Sequence, residues 1–183
     1  MFFHARYDSP LGEIGLLSDD NSLLALWFDT QTPVIPDGPL VDLSRHGKDV
    51  PILRAACDWL DRYFVGDRPS ITDLSLAPVG TAFRHRVWQL LVRIPYGETT
   101  TYGAIAREMA IPNGLSKPTA ANGLSKPAAR AVGGAVGSNP LALIIPCHRV
   151  VGAGGKLTGY GGGLELKKRL LLHEGVDIAA FVE

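Results

Sequence analysis

The residues with the clearest chemical potential stand side by side: Cys147 is followed directly by His148, inside an apolar run from Ile144 to Val151. A thiolate is the strongest nucleophile among the ordinary side chains, and an imidazole can take up its proton near neutral pH. The apolar flanks indicate that the pair is buried or lines a cleft. The pattern therefore predicts either a reactive thiol or a small core residue at position 147.

Several chemistries fit this pair poorly. Neighbouring residues rarely both ligate a structural zinc, and no second Cys/His pair lies nearby. A cysteine protease needs an imidazole that reaches the thiol from elsewhere in the fold. His148 could instead act through a water molecule, and Glu174, at the end of the last predicted helix, is a candidate for orienting it. The glycine-rich stretch 152–163 is no phosphate loop, because Leu157 follows Lys156, so we interpret it as a loop lining the site.

Composition indicates a globular protein of one or two domains. The chain has 183 residues, of which 46% are hydrophobic and 20% charged, and no apolar stretch is long enough to span a bilayer. The two cysteines, Cys57 and Cys147, form no CxxC pair, and the first residues predict a strand and not a signal peptide. We therefore expect a reducing, cytoplasmic location.

The net charge of zero conceals two unlike halves. Residues 1–78 hold six Lys and Arg against twelve Asp and Glu, a net charge of −6, and residues 79–183 carry the opposite balance, +6. A basic half suggests an anionic partner such as nucleic acid, although the asymmetry could also be accidental.

The elements that must position the pair are readable from periodicity and turn signals. In the first half we predict strands at the start of the chain, over 12–17 and over 23–28, then a loop over 30–50, and a helix from Pro51 that buries Cys57 as a core residue. A strand and linker follow over 66–80. In the second half we predict helices capped by Thr81 and Thr101, a small-residue helix after Pro127, a buried strand over 141–145 and a closing helix over 164–173.

Two short helices around a turn suggest a helix-turn-helix, although an ordinary helical hairpin would give the same pattern. The segment between them contains a tandem duplication, Asn113–Ala121 followed by Asn122–Arg130. One hypothesis is that Lys117 or Lys126 in this loop touches DNA; the alternative is a tolerated surface insertion.

The cysteine motif and its surroundings resemble the O6-alkylguanine-DNA alkyltransferases, in particular the bacterial one-chain members. The resemblance is dense over 81–175 and looser before that. It is carried by the following segments: Ala129–Gly133, Asn139-Pro140, Pro146–Val150, Gly159–Gly163 and His173–Gly175. The family flips the damaged guanine out of the duplex and transfers its alkyl group irreversibly to a cysteine, so that each molecule acts once.

The resemblance implies the chemical roles. Cys147 would be the nucleophile and alkyl acceptor, His148 would remove its proton through a water molecule, and Glu174 would orient His148. Tyr102 would stand beside the flipped nucleotide and donate a proton to the departing guanine. No cofactor and no metal are implied.

The resemblance also implies the DNA-binding residues and the pocket. Arg130 would fill the gap left by the flipped base, on a helix lying against the minor groove, and Asn139 would be the hinge behind that helix. Ala129, Ala131 and Gly133 would accompany Arg130 at the DNA. The wall of the substrate pocket would be formed by Ala142, Val150, Tyr160 and Gly161. Vertebrate members have a proline at the position of Ala142, so we expect bulky pseudo-substrate inhibitors to bind poorly.

The expected fold is α+β. A small N-terminal α/β domain of the ribonuclease H-like type would occupy 1–78, and a mostly helical winged helix-turn-helix domain would occupy 79–183. The partner would be double-stranded DNA containing alkylated guanine, with O4-alkylthymine an open question. We expect no membrane association and a monomer that could cluster on DNA. Two alternatives are a lesion-binding protein without transfer activity, against which the cysteine argues, and a winged-helix transcription regulator.

Overall fold

A computed structural model describes residues 1–44, 47–110 and 129–181. The first part of the described chain contains four strands: β1 (Phe2–Ser9), β2 (Gly12–Ser18), β3 (Leu23–Phe28) and β4 (Leu40–Asp42). They form one sheet in the order β3-β2-β1-β4, in which β1 and β4 are parallel and the other pairs antiparallel. The three longer strands agree with the predicted ones.

Short polar turns set the register of this sheet. The Asp19 carboxylate accepts hydrogen bonds from the backbone of Asn21 at 2.8 Å and Ser22 at 2.7 Å, which closes the turn between β2 and β3.

Gly15 on β2 lies under the Trp27 ring, where an added Cβ would stand 2.3 Å from a ring atom. A side chain at this position would displace the indole, so the two strands need glycine there.

Helix α1 (Pro51–Phe64) packs its apolar stripe on this sheet, as predicted. Pro51 occupies its first turn, where a missing N–H costs nothing. Cys57 lies on the stripe and is 5% exposed. The buried face consists of Ile52, Leu53, Ala56, Cys57, Trp59, Leu60 and Tyr63.

The second part of the described chain is mainly helical: α2 (Ala82–Val92), α3 (Tyr102–Met109), α4 (Ala129–Gly137) and α5 (Leu164–His173). Thr81 and Thr101 cap α2 and α3 as predicted, because their hydroxyls accept from backbone N–H groups at 3.3 and 3.1 Å. The short strands β5 (Thr100–Thr101) and β6 (Val150–Val151) pair in parallel and join the start of α3 to the segment after Cys147.

Three predicted segments differ from the structure. The loop over 30–50 contains β4 and a 3-10 turn at Gly47–Asp49. The strand over 66–80 is wrong: a 3-10 turn occupies Ile71–Asp73, and strand pairing there is limited to a single bridge between Leu76 and Leu23. Both segments are rich in proline and polar residues, which leaves room for only a short strand or a single bridge.

The predicted strand over 141–145 is also wrong. Leu141 makes one bridge to Leu26, and the chain then coils tightly, with Ile145 N donating to Leu141 O at 2.9 Å. Leu143 adopts a φ of +70°, a left-handed conformation that costs a leucine about 1–2 kcal/mol. The segment is apolar because it is buried, and burial alone does not distinguish a strand from a buried coil.

The two parts share one hydrophobic core, and β3 connects them directly. Leu26 N donates to Pro140 O at 2.8 Å, and Ala142 N donates to Leu26 O at 2.9 Å. The segment that leads to Cys147 is therefore anchored on the edge of the N-terminal sheet.

The duplication predicted over 113–130 lies outside the described residues except for its last two positions. Within the described ranges, no helix is long and apolar enough to cross a membrane.

Candidate active site

Cys147 lies at the start of a 3-10 turn, Cys147–Arg149, that follows the coiled segment after Leu141. The residue is 6% exposed, so its thiol is buried beneath the surface. Its backbone N–H donates to Ile145 O at 2.7 Å, which fixes the start of the turn. The tight backbone thus places three consecutive functional side chains in one buried cluster.

Asn139 ties the end of α4 to the thiol. Its side-chain nitrogen donates to Ile145 O at 2.7 Å and to Sγ of Cys147 at 3.2 Å, and its side-chain oxygen accepts from Leu141 N at 3.0 Å. The predicted hinge residue is therefore also a hydrogen-bond donor to the sulfur. A donor at this place favours the thiolate over the thiol.

Glu174 is the centre of the buried network. Its carboxylate accepts hydrogen bonds from five donors: Tyr63 OH, Gly97 N, His148 Nε2, Arg149 Nε and Arg149 Nη2. The two contacts with the guanidinium, at 2.7 and 2.9 Å, form a bidentate pair. Burial alone would raise the pKa of Glu174, but the hydrogen bonds from His148 and Arg149 outweigh it and hold the pKa well below its usual range. The group is therefore a carboxylate at neutral pH.

The carboxylate fixes the tautomer of His148. Because Glu174 can only accept, Nε2 of His148, 2.8 Å from Oε1, must carry the proton. The other ring nitrogen, Nδ1, is buried and has no hydrogen-bond partner among the described residues. Burial lowers the pKa of His148 despite the neighbouring carboxylate, so the ring is neutral and Nδ1 is free to accept a proton.

The resting thiol is protonated. Burial raises the pKa of Cys147, and the hydrogen bond from Asn139 and the charge of Lys167 offset this only in part. A nucleophilic sulfur therefore requires a base at the moment of reaction. A neutral imidazole stands next to Cys147 in sequence, with Glu174 held against its other ring nitrogen.

Lys167 is a functional residue that the sequence interpretation missed. It is fully buried on α5, where its ammonium donates to Thr158 O at 2.8 Å and to Val150 O. Burial lowers the pKa of Lys167 to about 8, although the charge of Cys147 raises it in part. A signal was present, because Lys167 falls on the same helical stripe as the buried Leu170 and Leu171.

Arg149 and Tyr63 were also missed as parts of the site. Arg149 stands in the cysteine motif, but its contacts with Glu174 and with Ile94 O at 2.6 Å are long-range. Tyr63 belongs to α1, 111 residues away from Glu174 in sequence. No local pattern could have connected these residues.

Two tyrosines, one predicted to act in catalysis and one predicted for the substrate pocket, lie within electrostatic reach of the thiol. Tyr102, at the start of α3, donates to Gly159 O at 3.1 Å, and the charge of Cys147 contributes to the raised pKa of its hydroxyl, after burial. The Tyr160 hydroxyl is buried and has no hydrogen-bond partner among the described residues, and its pKa is also raised by burial and by Cys147. Ala142 and Val150 are buried. The site thus offers two phenols near one thiol.

The glycine-rich stretch 152–163 contacts the residues just after β3. Thr30 donates to Gly162 O at 3.1 Å, and a Cβ on Gly161 would stand 3.0 Å from the Gln31 side chain. Gly161 is exposed and lines a groove of about 780 Å³ that also borders Asn139. Gly161 is therefore at the edge of the site and is not in the buried cluster.

The residues predicted to contact DNA lie on the outer face of α4. Ala129, Arg130 and Ala131 are exposed, and Val132, Ala135 and Val136 on the opposite face are buried. Gly133 is half-buried and faces Tyr102, whose ring would lie 3.9 Å from an added Cβ. The helix therefore presents a small-residue surface with a single cation beside the site, and none of these three exposed residues belongs to the hydrogen-bonded cluster.

Two protein-family models match the chain. Residues 82–176 match "6-O-methylguanine DNA methyltransferase, DNA binding domain", and residues 2–78 match "6-O-methylguanine DNA methyltransferase, ribonuclease-like domain". Together the two models account for most of the chain.

Relatives and solved structures agree with these matches. The chain is 40% identical over 175 residues to a methylated-DNA–protein-cysteine methyltransferase of Methanosarcina acetivorans, covering 94% of this chain and 98% of the relative. It is 38% identical over 170 residues to one of Haemophilus influenzae, covering 92% and 84%. A crystal structure of Mycobacterium tuberculosis OGT in complex with DNA matches with a TM-score of 0.74 and 39% identity, covering 94% and 93% of the two chains.

These similarities span both parts of the molecule, the sheet with α1 and the helices that surround Cys147. The architecture is correspondingly mixed α+β, with an N-terminal sheet domain and a helical C-terminal domain. The chain belongs to the family of the methylated-DNA–protein-cysteine methyltransferases.

Proposed function

We propose that the protein repairs DNA by direct reversal: it transfers the alkyl group of O6-alkylguanine to Cys147 and keeps it. The observation that carries the proposal is the pairing of a buried thiol with a neutral His148 whose Nε2 is held by Glu174 and whose Nδ1 has no hydrogen-bond partner in the part of the chain that the structure describes. In this arrangement His148 can act as the base for a thiol that is protonated at rest.

The reaction follows from these groups. The proton of Cys147 passes through a water molecule to Nδ1 of His148, and Sγ attacks the alkyl carbon. A sulfur–carbon bond forms as the bond from carbon to O6 breaks, and its electron pair goes to the guanine. Tyr102, whose hydroxyl lies in the site, gives the departing guanine a proton and recovers one from the imidazolium through solvent. The cysteine thiolate is a poor leaving group from the resulting thioether, so the alkyl group stays and the protein acts once.

The DNA side of the proposal rests on α4. Its exposed small residues allow close approach to a groove, and Arg130 would enter the stack where the flipped base has left. In this proposal α3 and α4 are the two helices of a winged helix-turn-helix. Tyr160, Gly161, Val150 and Ala142 would line the pocket that receives the base.

The finer architecture and setting are proposed on the same basis. An N-terminal ribonuclease H-like domain would span 1–78, and the alkyltransferase domain would span 79–183. The protein would act as a cytoplasmic monomer on double-stranded DNA that contains alkylated guanine.

The test is to incubate the full chain with a duplex carrying one O6-methylguanine and to measure the mass of its peptides. We expect a gain of one methyl group on the peptide containing Cys147, no gain on the peptide containing Cys57, and no gain in Cys147→Ser. An unmodified protein beside unrepaired DNA would refute the proposal. Binding of the lesion duplex without transfer would instead support the lesion-binding alternative.

A further inference from the structure

One member of the buried network comes from the other part of the molecule. Oε1 of Glu174 accepts three hydrogen bonds, from His148 Nε2 at 2.8 Å, Arg149 Nη2 at 2.9 Å and Tyr63 OH at 2.8 Å. Tyr63 lies on α1 of the N-terminal part and is 1% exposed. Oε1 of Glu174, which accepts from His148, thus also accepts from a phenol in the N-terminal part of the molecule.

The Tyr63 ring is held by its aromatic neighbours. It stacks on Trp59 at a centroid distance of 5.6 Å and meets Phe64 and Tyr96 edge-on at 5.2 and 5.9 Å. The backbone oxygen of Tyr63 accepts from His173 Nε2 at 3.0 Å. These contacts do not involve the hydroxyl, so its hydrogen bond to Glu174 is separable from the packing of the ring.

The hydroxyl is a permanent donor. Burial raises the pKa of Tyr63, and the negative charge of Glu174 raises it further, so the phenol stays protonated over the whole physiological range. A buried carboxylate that accepts this bond has one fewer lone pair free and less charge directed at its other partners. The partner that matters for chemistry is His148.

We propose that Tyr63 is a positioning residue for alkyl transfer, whose hydroxyl fixes Glu174 so that His148 keeps its proton on Nε2 and leaves Nδ1 bare. The inference rests on the proposed function, because the positioned group is the base of that reaction. In this proposal α1 contributes a hydroxyl to the chemistry of the site as well as side chains to the hydrophobic core.

The charges around Glu174 set the direction of the effect. Arg149 and His148 face it from the 3-10 turn, and Lys167 acts on His148 from α5. Tyr96, in the turn after α2, is a neutral phenol, because burial and the charge of Glu174 raise its pKa. Removing the Tyr63 hydroxyl leaves more of the carboxylate's charge to act on His148. The imidazolium is then stabilised, the pKa of His148 rises, and the neutral base is populated only at higher pH.

The experiment compares Tyr63→Phe with the wild-type full chain. Single-turnover rate constants on an O6-methylguanine duplex are measured across pH. We expect the rate below the midpoint of the acid limb to fall about tenfold, which corresponds to about 1.4 kcal/mol, and the midpoint to move to higher pH. DNA affinity should be unchanged, because Tyr63 is buried away from the surface.

Tyr96→Phe is the matched control. It removes a phenol from the same aromatic cluster, but that phenol donates to His173 O at 3.1 Å and not to Glu174. We expect its acid midpoint to match that of the wild type. A wild-type midpoint in Tyr63→Phe, or the same loss of rate at every pH, would overturn the proposal by reducing the hydroxyl to a structural role.

Two further measurements do not depend on repair. The rate at which iodoacetamide alkylates Cys147, resolved by peptide mass, should show the same shift of midpoint in Tyr63→Phe, even if no methyl group is ever transferred from DNA. In the wild type, the nitrogen NMR shifts of His148 should report the Nε2–H tautomer. An Nδ1–H tautomer would overturn the proposal whether or not the variant folds.

Discussion

Cys57 and Cys147 are buried to the same degree, at 5% and 6% exposure, yet their surroundings have opposite chemistry. Cys57 lies on the apolar stripe of α1, between that helix and the sheet. Cys147 has an amide donor at 3.2 Å, a neutral imidazole next in sequence and a buried ammonium within electrostatic reach. Burial alone therefore does not set the chemistry of a cysteine; the groups around the sulfur matter as much.

The difference also has a structural origin. On a regular helix such as α1, the buried side chains form one face toward the sheet. A cysteine on that face therefore contacts the sheet residues opposite it. The coil that leads to Cys147 brings the side chain of Asn139, just after α4, to the sulfur, and Lys167 of α5 acts on the thiol electrostatically. The irregular backbone, with Leu143 at a φ of +70°, allows that convergence.

Glu174→Gln should give the largest effect, by making the surroundings of Cys147 as unreactive as those of Cys57. The amide cannot stabilise the imidazolium, and it leaves the Arg149 charge buried without a counterion. We expect the single-turnover rate to fall roughly a thousandfold. Glu165→Gln, an exposed position on the same helix, is the control. A rate within a few fold of the wild type would contradict the role of the carboxylate.

Lys167→Met should give an intermediate effect. The ammonium lowers the pKa of Cys147, so its loss should make the thiolate harder to form and slow transfer about tenfold at neutral pH. The measurement is the single-turnover rate, with Lys156→Met, an exposed lysine, as the matched control. Equal rates in the two variants would show that the buried ammonium does not act on the sulfur.

Cys57→Ala should leave the chemistry unchanged. It removes one sulfur from the core, so we expect the free energy of unfolding to fall by about 1 kcal/mol, with a rate of transfer equal to that of the wild type. Denaturant titration and the single-turnover rate measure the two quantities. A lower rate of transfer in Cys57→Ala would contradict the proposed difference between the two cysteines.

The regular elements were predictable because each carries a local signal. Pro51 and the apolar stripe located α1, and the Thr81 and Thr101 caps located the starts of α2 and α3. The segment over 141–145 was predicted as a strand because a buried coil has the same apolar composition as a buried strand. Its positive φ at a leucine has no signature in the sequence.

The site was predictable to a similar extent. Cys147, His148 and Glu174 could be assigned from the motif and from its likeness to a family. The partners of Glu174 in α1 and in the turn after α2 could not, because they depend on how the two parts of the chain pack. Lys167 was visible as a charge on an apolar stripe, but the destination of its ammonium was not.

The convergence on Glu174 has a consequence for biosynthesis. His148 and Glu174 are 26 residues apart, so a ribosome adding about 5–20 residues per second makes the base roughly one to five seconds before the group that orients it. Until the end of α5 has been synthesised and docked, Cys147 has no assembled base. Under the proposed mechanism, alkyl transfer from DNA therefore cannot begin before the end of α5 has docked.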